Sequence, residues 1–112
     1  MNKIVLFFIA FALYSCNENE QIIDPVSIQL QKSGVEVSFR GLGVVNEKEA
    51  WISGTEGTVL RTIDSGETWN KIDVPGADSL DFRDLEILDD NTVLLMSIGP
   101  GESSKIFKSE DS

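Results

Sequence analysis

The chain has 112 residues with 9 basic and 19 acidic side chains, and its formal net charge is −10. The phosphate backbone of a nucleic acid would repel such a chain, which excludes a basic nucleic-acid-binding protein. The chain has no histidine and a single cysteine, Cys16, so it lacks the imidazole and thiolate ligands of zinc, copper and haem sites. We therefore predict no cofactor and no metal, and the length allows at most one small domain.

The N-terminus has the pattern of an export signal. Lys3 gives a short basic start, an unbroken apolar run covers residues 4–13, and Cys16 follows closely. The run is about half as long as a membrane-spanning helix, so it fits the hydrophobic region of a signal peptide. A signal that ends on a small residue and one cysteine resembles the bacterial lipoprotein box, here Leu13-Tyr14-Ser15-Cys16. In the alternative, an ordinary signal peptide, this cysteine is incidental.

The lipoprotein resemblance implies a division of the first 25 residues. It implies a signal peptide over residues 1–15, cleavage before Cys16 and acylation of the thiol. The mature protein would then lie in the bacterial cell envelope, anchored to the outer membrane by its lipid, on the periplasmic or the surface-exposed side. A lone thiol has no disulfide partner in an oxidising compartment, which supports this interpretation. Polar and acidic residues lead to the Asp24-Pro25 break, so we interpret residues 16–25 as a tether.

From residue 26 onward, the sequence predicts an all-β fold. Apolar and polar residues alternate with period two, β-branched and aromatic side chains are frequent, and Gly, Asn and Asp interrupt the pattern. No stretch has helical spacing, so we expect short antiparallel strands. The predicted strands are Val26–Gln31, Val35–Arg40, Leu42–Val45, Ala50–Ser53, Thr58–Thr62, Thr68–Ile72, Phe82–Leu88, Thr92–Ser97 and Lys105–Ser109.

The predicted strands form an internal repeat. Residues 39–46 align with residues 82–89 at an offset of 43, and their apolar positions coincide. After an insertion, residues 59–65 align with residues 106–112 at an offset of 47. A repeat of this length with about four antiparallel strands has the size of one β-propeller blade.

The repeat predicts two propeller-type blades within residues 26–112. The first covers about residues 35–75, and the second, which is incomplete, covers about residues 76–112. A closed propeller has about four to eight blades, and each blade buries its faces against its neighbours. We therefore expect an N-terminal fragment of a longer protein, in which Val26–Gln31 would supply the outer strand of the last blade. The alternatives are a ring assembled from several copies and a nonfunctional remnant that does not fold.

A motif within the first repeat indicates a family. Residues 62–69, Thr-Ile-Asp-Ser-Gly-Glu-Thr-Trp, match the Asp-box pattern Ser/Thr-x-Asp-x-Gly-x-Thr-Trp, and Ser109 and Asp111 begin a partial second copy. The chain thus resembles the BNR/Asp-box β-propellers, which include sialidases and the photosystem II assembly-factor-like proteins. Residues 50–61 place an aromatic strand and Gly-x-x-Gly before the box, which is most similar to the assembly-factor-like group.

We interpret the Asp-box as a structural element of the blade. Asp64 would accept hydrogen bonds from turn amides, Thr62 would add a hydroxyl bond, and Gly66 would adopt positive φ without strain. Trp69 would follow Thr68 into the fourth strand and pack between blades, with its indole N–H bonded to a carbonyl. In the families that the chain resembles, the box lies away from the active face. Binding of ligand or calcium by the box is therefore the less favoured alternative.

The resemblance leaves two classes of function open. We favour a binding or scaffolding propeller without catalysis, whose protein or glycan ligand the sequence does not identify. The alternative is the N-terminal part of a sialidase-like glycoside hydrolase. That chemistry requires a tyrosine nucleophile assisted by Glu, an Asp acid/base and three arginines that hold the substrate carboxylate. The only tyrosine is Tyr14, inside the predicted signal peptide, so the catalytic residues would have to lie in a further part of the protein.

Two of the three arginines have equivalent positions in the repeat. Arg40 and Arg83 align at the offset of 43, whereas Arg61 lies in a different strand. Equivalent positions in adjacent blades predict that the two side chains lie near each other, and we regard both as candidate contacts to an anion. The alternative is that each arginine is a solvated residue of the repeat. The acidic pairs Asp89-Asp90 and Glu110-Asp111 are expected to be solvent-exposed residues of turns and not an acid and base of a catalytic site.

Overall fold

The structure is a computed structural model that describes residues 21–111. These residues form seven β-strands and one short 3-10 helix, and every strand pairing is antiparallel. The predicted all-β class is confirmed. The predicted signal peptide and Cys16 lie outside the described residues. Across residues 21–111, no helix is long and apolar enough to cross a membrane.

The strands form two sheets, which we call sheet A and sheet B. Sheet A has the order β1-β2-β3-β4, and sheet B has the order β5-β6-β7. The strands of sheet A are β1 (Phe39–Val44), β2 (Ala50–Gly54), β3 (Val59–Thr62) and β4 (Asn70–Lys71). The strands of sheet B are β5 (Asp81–Asp89), β6 (Thr92–Ile98) and β7 (Ile106–Ser109), with the 3-10 helix Gly101–Ser103 between β6 and β7. Each sheet is a meander, as expected for a propeller blade.

The structure corrects the predicted strands in three places. Val26–Gln31 forms no strand, and its alternating apolar side chains lie in solvent, with Leu30 98% exposed. Period-two alternation predicts one apolar face, but a strand also requires a neighbour that pairs with its backbone. The prediction of Val35–Arg40 and Leu42–Val45 as separate strands is wrong, because β1 runs continuously through Gly41. Thr68–Ile72 contributes only the two residues of β4.

Sheets A and B pack face to face around one hydrophobic core. The core consists of Trp51, Val59, Ala77, Leu80, Phe82, Leu85, Val93 and Leu95. Phe82 is fully buried and meets the ring of Phe107 edge to face, with centroids 5.7 Å apart. Glycine allows the closest approach of the sheets, since a Cβ atom on Gly43 would lie 2.5 Å from Leu85 Cδ2. Contacts between the sheets are concentrated at β1, β2 and β5, so the sheets converge at one end.

The outward faces of both sheets expose apolar side chains. Leu42 and Val44 on sheet A are 66% and 64% exposed, and they align in the repeat with Leu85 and Ile87. In sheet B these equivalents pack against Gly43 of sheet A. On the outward face of sheet B, Met96, Ile98 and Ile106 are likewise exposed. Each outward face thus has the apolar character of a blade surface that a neighbour covers.

Candidate functional site

The Asp-box forms the turn between β3 and β4. Thr62 is 2% exposed, and its hydroxyl accepts a hydrogen bond from the Gly66 N–H at 2.8 Å while donating to Asp64 Oδ1 at 2.8 Å. Asp64 also accepts bonds from the Thr68 N–H at 2.9 Å and from the Thr68 hydroxyl at 2.5 Å. Gly66 has φ = 86°, and Ser65 before it has φ = 61°. Polar groups of four residues, Thr62, Asp64, Gly66 and Thr68, therefore close the turn among themselves.

The hydrogen bonds of this turn stabilise the charged form of Asp64. The Thr68 hydroxyl, the Thr68 N–H and the Thr62 hydroxyl lower the pKa of the Asp64 carboxyl below its ordinary value of 3.8. The turn is also tied to the loop after β1, because Ser65 N–H donates to the Lys48 carbonyl and Ser65 Oγ donates to the Glu47 carbonyl, both at 2.9 Å. The Asp64 carboxylate is thus bonded within the turn, and the Ser65 bonds fix the turn to the neighbouring loop. Both sets of contacts are those of a structural element of the blade.

Trp69 lies directly before β4 and is half-buried. Its ring lies beside Gly66, and it lines a shallow cavity on the outward face of sheet A together with Thr62, Val44 and Ala50. Among residues 21–111, the tryptophan indole N–H that donates a hydrogen bond is that of Trp51, so the expected bond from Trp69 to a carbonyl is not formed there. The second, partial box has the same start as the first, since Ser109 Oγ donates to Asp111 Oδ1 at 3.0 Å.

Arg61 belongs to a polar cluster that the sequence did not reveal. Its guanidinium lies 2.7 Å from Glu49 Oε1, and its Nε donates to the same oxygen at 2.9 Å. The Trp51 indole N–H also donates to this oxygen at 3.2 Å, and the guanidinium stacks on the Trp51 ring, 5.2 Å from its centroid. Arg61 on β3 is therefore held in place by Glu49 and by Trp51, which is its directly paired residue on β2. Of the three arginines, Arg61 is the one whose guanidinium pairs with a carboxylate of the described residues.

Arg40 and Arg83 occupy β-bulges. Phe39 pairs with Gly54 and Gly41 with Ser53, which leaves Arg40 as the extra residue of β1. Arg83 is the extra residue of β5 in the same way, between the paired residues Phe82 and Asp84. A bulge redirects a side chain relative to the regular pleat, and bulges are frequent next to functional sites.

The two bulged arginines lie on strands that contact each other. β1 and β5 are the first strands of their sheets, and they meet where the sheets converge. Both side chains are exposed, and neither forms an ion pair with another described residue. The two bulges that carry these arginines were not evident from the sequence.

The predicted acidic pairs lie at strand ends, since Asp89 is the last residue of β5, Asp90 begins the turn after it, and Glu110 and Asp111 follow β7. Asp89 Oδ1 accepts a hydrogen bond from the Asn91 N–H at 2.8 Å, and this bond, with that from the Thr92 hydroxyl, lowers the pKa of Asp89. Glu110 forms an exposed ion pair with Lys108 at 2.5 Å. Residues 21–111 contain no cluster of three or more acidic, histidine or cysteine side chains that could hold a metal ion.

Comparison with known proteins supports the fold at low sequence identity. No protein-family model matches the chain, and no curated protein matches it. Among solved structures, the chain is similar to one described as YCF48 bound to D1 peptide, with 17% identity and a TM-score of 0.57. The similarity covers 67% of this chain and 24% of that chain, so this chain spans about a quarter of that protein's length. That protein is a β-propeller, and the two sheets of this chain therefore have a β-propeller-type fold.

Proposed function

We propose that this chain is part of a lipid-anchored, extracytoplasmic Asp-box propeller that binds a protein or peptide ligand and has no catalytic activity of its own. Arg40 and Arg83 would contact an acidic group of that ligand. The observation that carries this proposal is the presence of both arginines at equivalent bulges on adjoining first strands. The solved structure described as YCF48 bound to D1 peptide supports a peptide as the class of ligand, because that protein shares the fold.

The electrostatic setting favours a function for these arginines in recognition. The chain has a net charge of −10, and its 19 acidic side chains provide many partners for exposed cations. Arg61 and Lys108 form ion pairs with Glu49 and Glu110, whereas Arg40 and Arg83 pair with no described carboxylate. An exposed guanidinium has a planar array of donors that fits a carboxylate, so an acidic side chain or a C-terminal carboxylate is the expected ligand group.

The lipid anchor rests on the residues before the described part of the chain. The short apolar run, the single Cys16 and the acidic segment after it support acylation of the thiol and a tether to the envelope membrane. The sialidase-like alternative gains no support from residues 21–111, because the Arg61 guanidinium is already paired with Glu49.

Binding of an acidic probe tests the role of the two arginines. We would titrate the full chain with a triglutamate peptide that has a free C-terminal carboxylate and follow binding by NMR. We expect binding at low salt that weakens as ionic strength rises, because exposed charges are screened. Arg40→Gln combined with Arg83→Gln should weaken it about tenfold or more.

A control with the same change in charge makes the result specific. Lys32→Gln combined with Lys105→Gln removes two exposed cations elsewhere and should leave the affinity within about twofold. Equal losses in the two double variants, or no binding of triglutamate to the unmodified chain, would contradict the proposed site.

A further inference from the structure

We propose that Asp84 makes the site of Arg40 and Arg83 select a ligand in which a basic group accompanies the acidic group. We call these two arginines the arginine pair. The proposal rests on the proposed function, because it assigns the class of ligand that the arginine pair binds. It adds to that site a carboxylate that discriminates between acidic ligands.

The bulge in β5 turns two consecutive side chains toward solvent. Phe82 and Leu85 are buried, and the two residues between them, Arg83 and Asp84, are both exposed. In a regular strand, consecutive side chains point to opposite faces of the sheet. The extra residue of the bulge interrupts this alternation. A guanidinium and a carboxylate are therefore exposed at adjacent positions of the same strand.

Asp84 also lies next to the other arginine. Its backbone packs against Gly41, the residue that follows Arg40. A Cβ atom on Gly41 would lie 3.2 Å from the carbonyl carbon of Asp84 and 3.0 Å from the backbone nitrogen of Leu85. One exposed carboxylate thus adjoins both members of the arginine pair.

Sheet A has no carboxylate at the equivalent position. The offset of 43 aligns Asp84 with Gly41, where a Cβ atom would also lie 2.5 Å from Ser53 Oγ. The close approach of β5 therefore leaves no room for a side chain there. Asp81 lies near on β5, but it is half-buried and its Oδ1 is buried. Asp84 is thus the exposed carboxylate of β5 that directly follows a bulged arginine.

Asp84 does not neutralise the arginine pair. The ion pairs within residues 21–111 include neither Asp84 nor either member of the pair. Asp84 Oδ1 instead accepts a hydrogen bond from the Leu85 N–H at 2.9 Å, which holds the carboxylate beside the backbone. The two positive charges and the one negative charge are therefore all available to a ligand.

These charges place two requirements on a ligand. A ligand carboxylate bound by the arginine pair comes close to the Asp84 carboxylate, and the two like charges repel each other. A basic group beside the ligand carboxylate would face Asp84 and offset this repulsion. Binding sites obtain specificity from such repulsive elements as well as from attractive contacts. The site should therefore favour a peptide in which Lys or Arg lies beside Asp or Glu over a purely acidic peptide.

Two capped tripeptides that differ in one residue test this selection. Acetyl-Glu-Lys-Glu-amide has a basic group between two acidic groups, and acetyl-Glu-Gln-Glu-amide lacks the basic group. We would titrate the full chain with each peptide at low salt and follow binding by NMR. We expect the lysine peptide to bind about three- to fivefold more tightly, which is the effect of a favourable exposed charge pair.

A matched pair of protein variants assigns the selection to Asp84. Asp84→Asn removes the charge but keeps an oxygen that can accept the Leu85 N–H bond. In this variant the glutamine peptide should bind more tightly, and the ratio of the two affinities should fall about threefold. Asp90→Asn makes the same change in net charge in the turn after β5, at the other end of that strand, and should leave the ratio unchanged.

The outcomes separate this proposal from the proposed function. If both peptides need the arginine pair for binding but Asp84→Asn and Asp90→Asn give the same ratio of affinities, selection by Asp84 is wrong and the arginine site stands. If neither peptide binds, or if Arg40→Gln combined with Arg83→Gln leaves binding intact, the arginine site is wrong and this proposal is overturned with it.

Discussion

Phe82 and Phe39 provide a direct test of how the two sheets pack. The two residues align in the repeat, and each directly precedes a bulged arginine. Phe82 is fully buried between the sheets, whereas Phe39 is 41% exposed. We predict that Phe82→Ala lowers the free energy of unfolding much more than Phe39→Ala does. The substitution is chemically identical at both positions, so each variant is the control for the other.

The magnitudes follow from the burial of each ring. Removal of a fully buried phenylalanine side chain costs about 3–5 kcal/mol, which combines the lost transfer free energy with the cavity left behind. The edge-to-face contact of Phe82 with Phe107 contributes about 0.5–1.5 kcal/mol within that range. Phe39 covers less apolar surface and borders solvent, so its removal should cost only about 1 kcal/mol.

The measurement is urea unfolding of the full chain, followed by tryptophan fluorescence. Phe82→Ala should move the midpoint to much lower urea, or leave the chain unfolded without denaturant. Phe39→Ala should move it slightly at an unchanged slope. If the two variants lose the same stability, the two sheets do not pack as described, because Phe82 would then be no more buried than Phe39.

Three further predictions concern the anchor and the Asp-box turn. Metabolic labelling with a fatty acid in a bacterial host should label the chain but not Cys16→Ser, and equal labelling of both would end the lipoprotein interpretation. Thr62→Val should lower the free energy of unfolding by about 1–3 kcal/mol, because the buried Gly66 N–H loses its acceptor, while Thr58→Val, whose hydroxyl has no hydrogen bond within the described residues, should cost less. The hydrogen bonds that lower the pKa of Asp64 stabilise the folded state above its ordinary pKa of 3.8, and this stabilisation is lost as pH falls below that value. Urea unfolding at several pH values should therefore show a weaker acid dependence for Asp64→Asn than for the unmodified chain, and identical pH profiles would contradict this assignment.

Local pattern was sufficient for the features that depend on near neighbours in the chain. Period-two alternation predicted the all-β class, and the repeat predicted two blades of propeller type. The Asp-box turn could also be anticipated, because Thr62, Asp64 and Thr68 lie within seven consecutive residues and bond with one another. Such contacts are encoded by spacing along the chain alone.

Pairing between distant residues determined the rest. Val26–Gln31 has the alternation of a strand but no described partner, so the pattern alone misassigned it. The bulges at Arg40 and Arg83 arise from the register with β2 and β6, and the Glu49–Arg61–Trp51 cluster arises from strands that are apart in sequence. The same holds for Phe39 and Phe82, which have the same motif but different burial. Register and sheet packing depend on contacts between segments, and a local pattern does not specify which segment lies opposite.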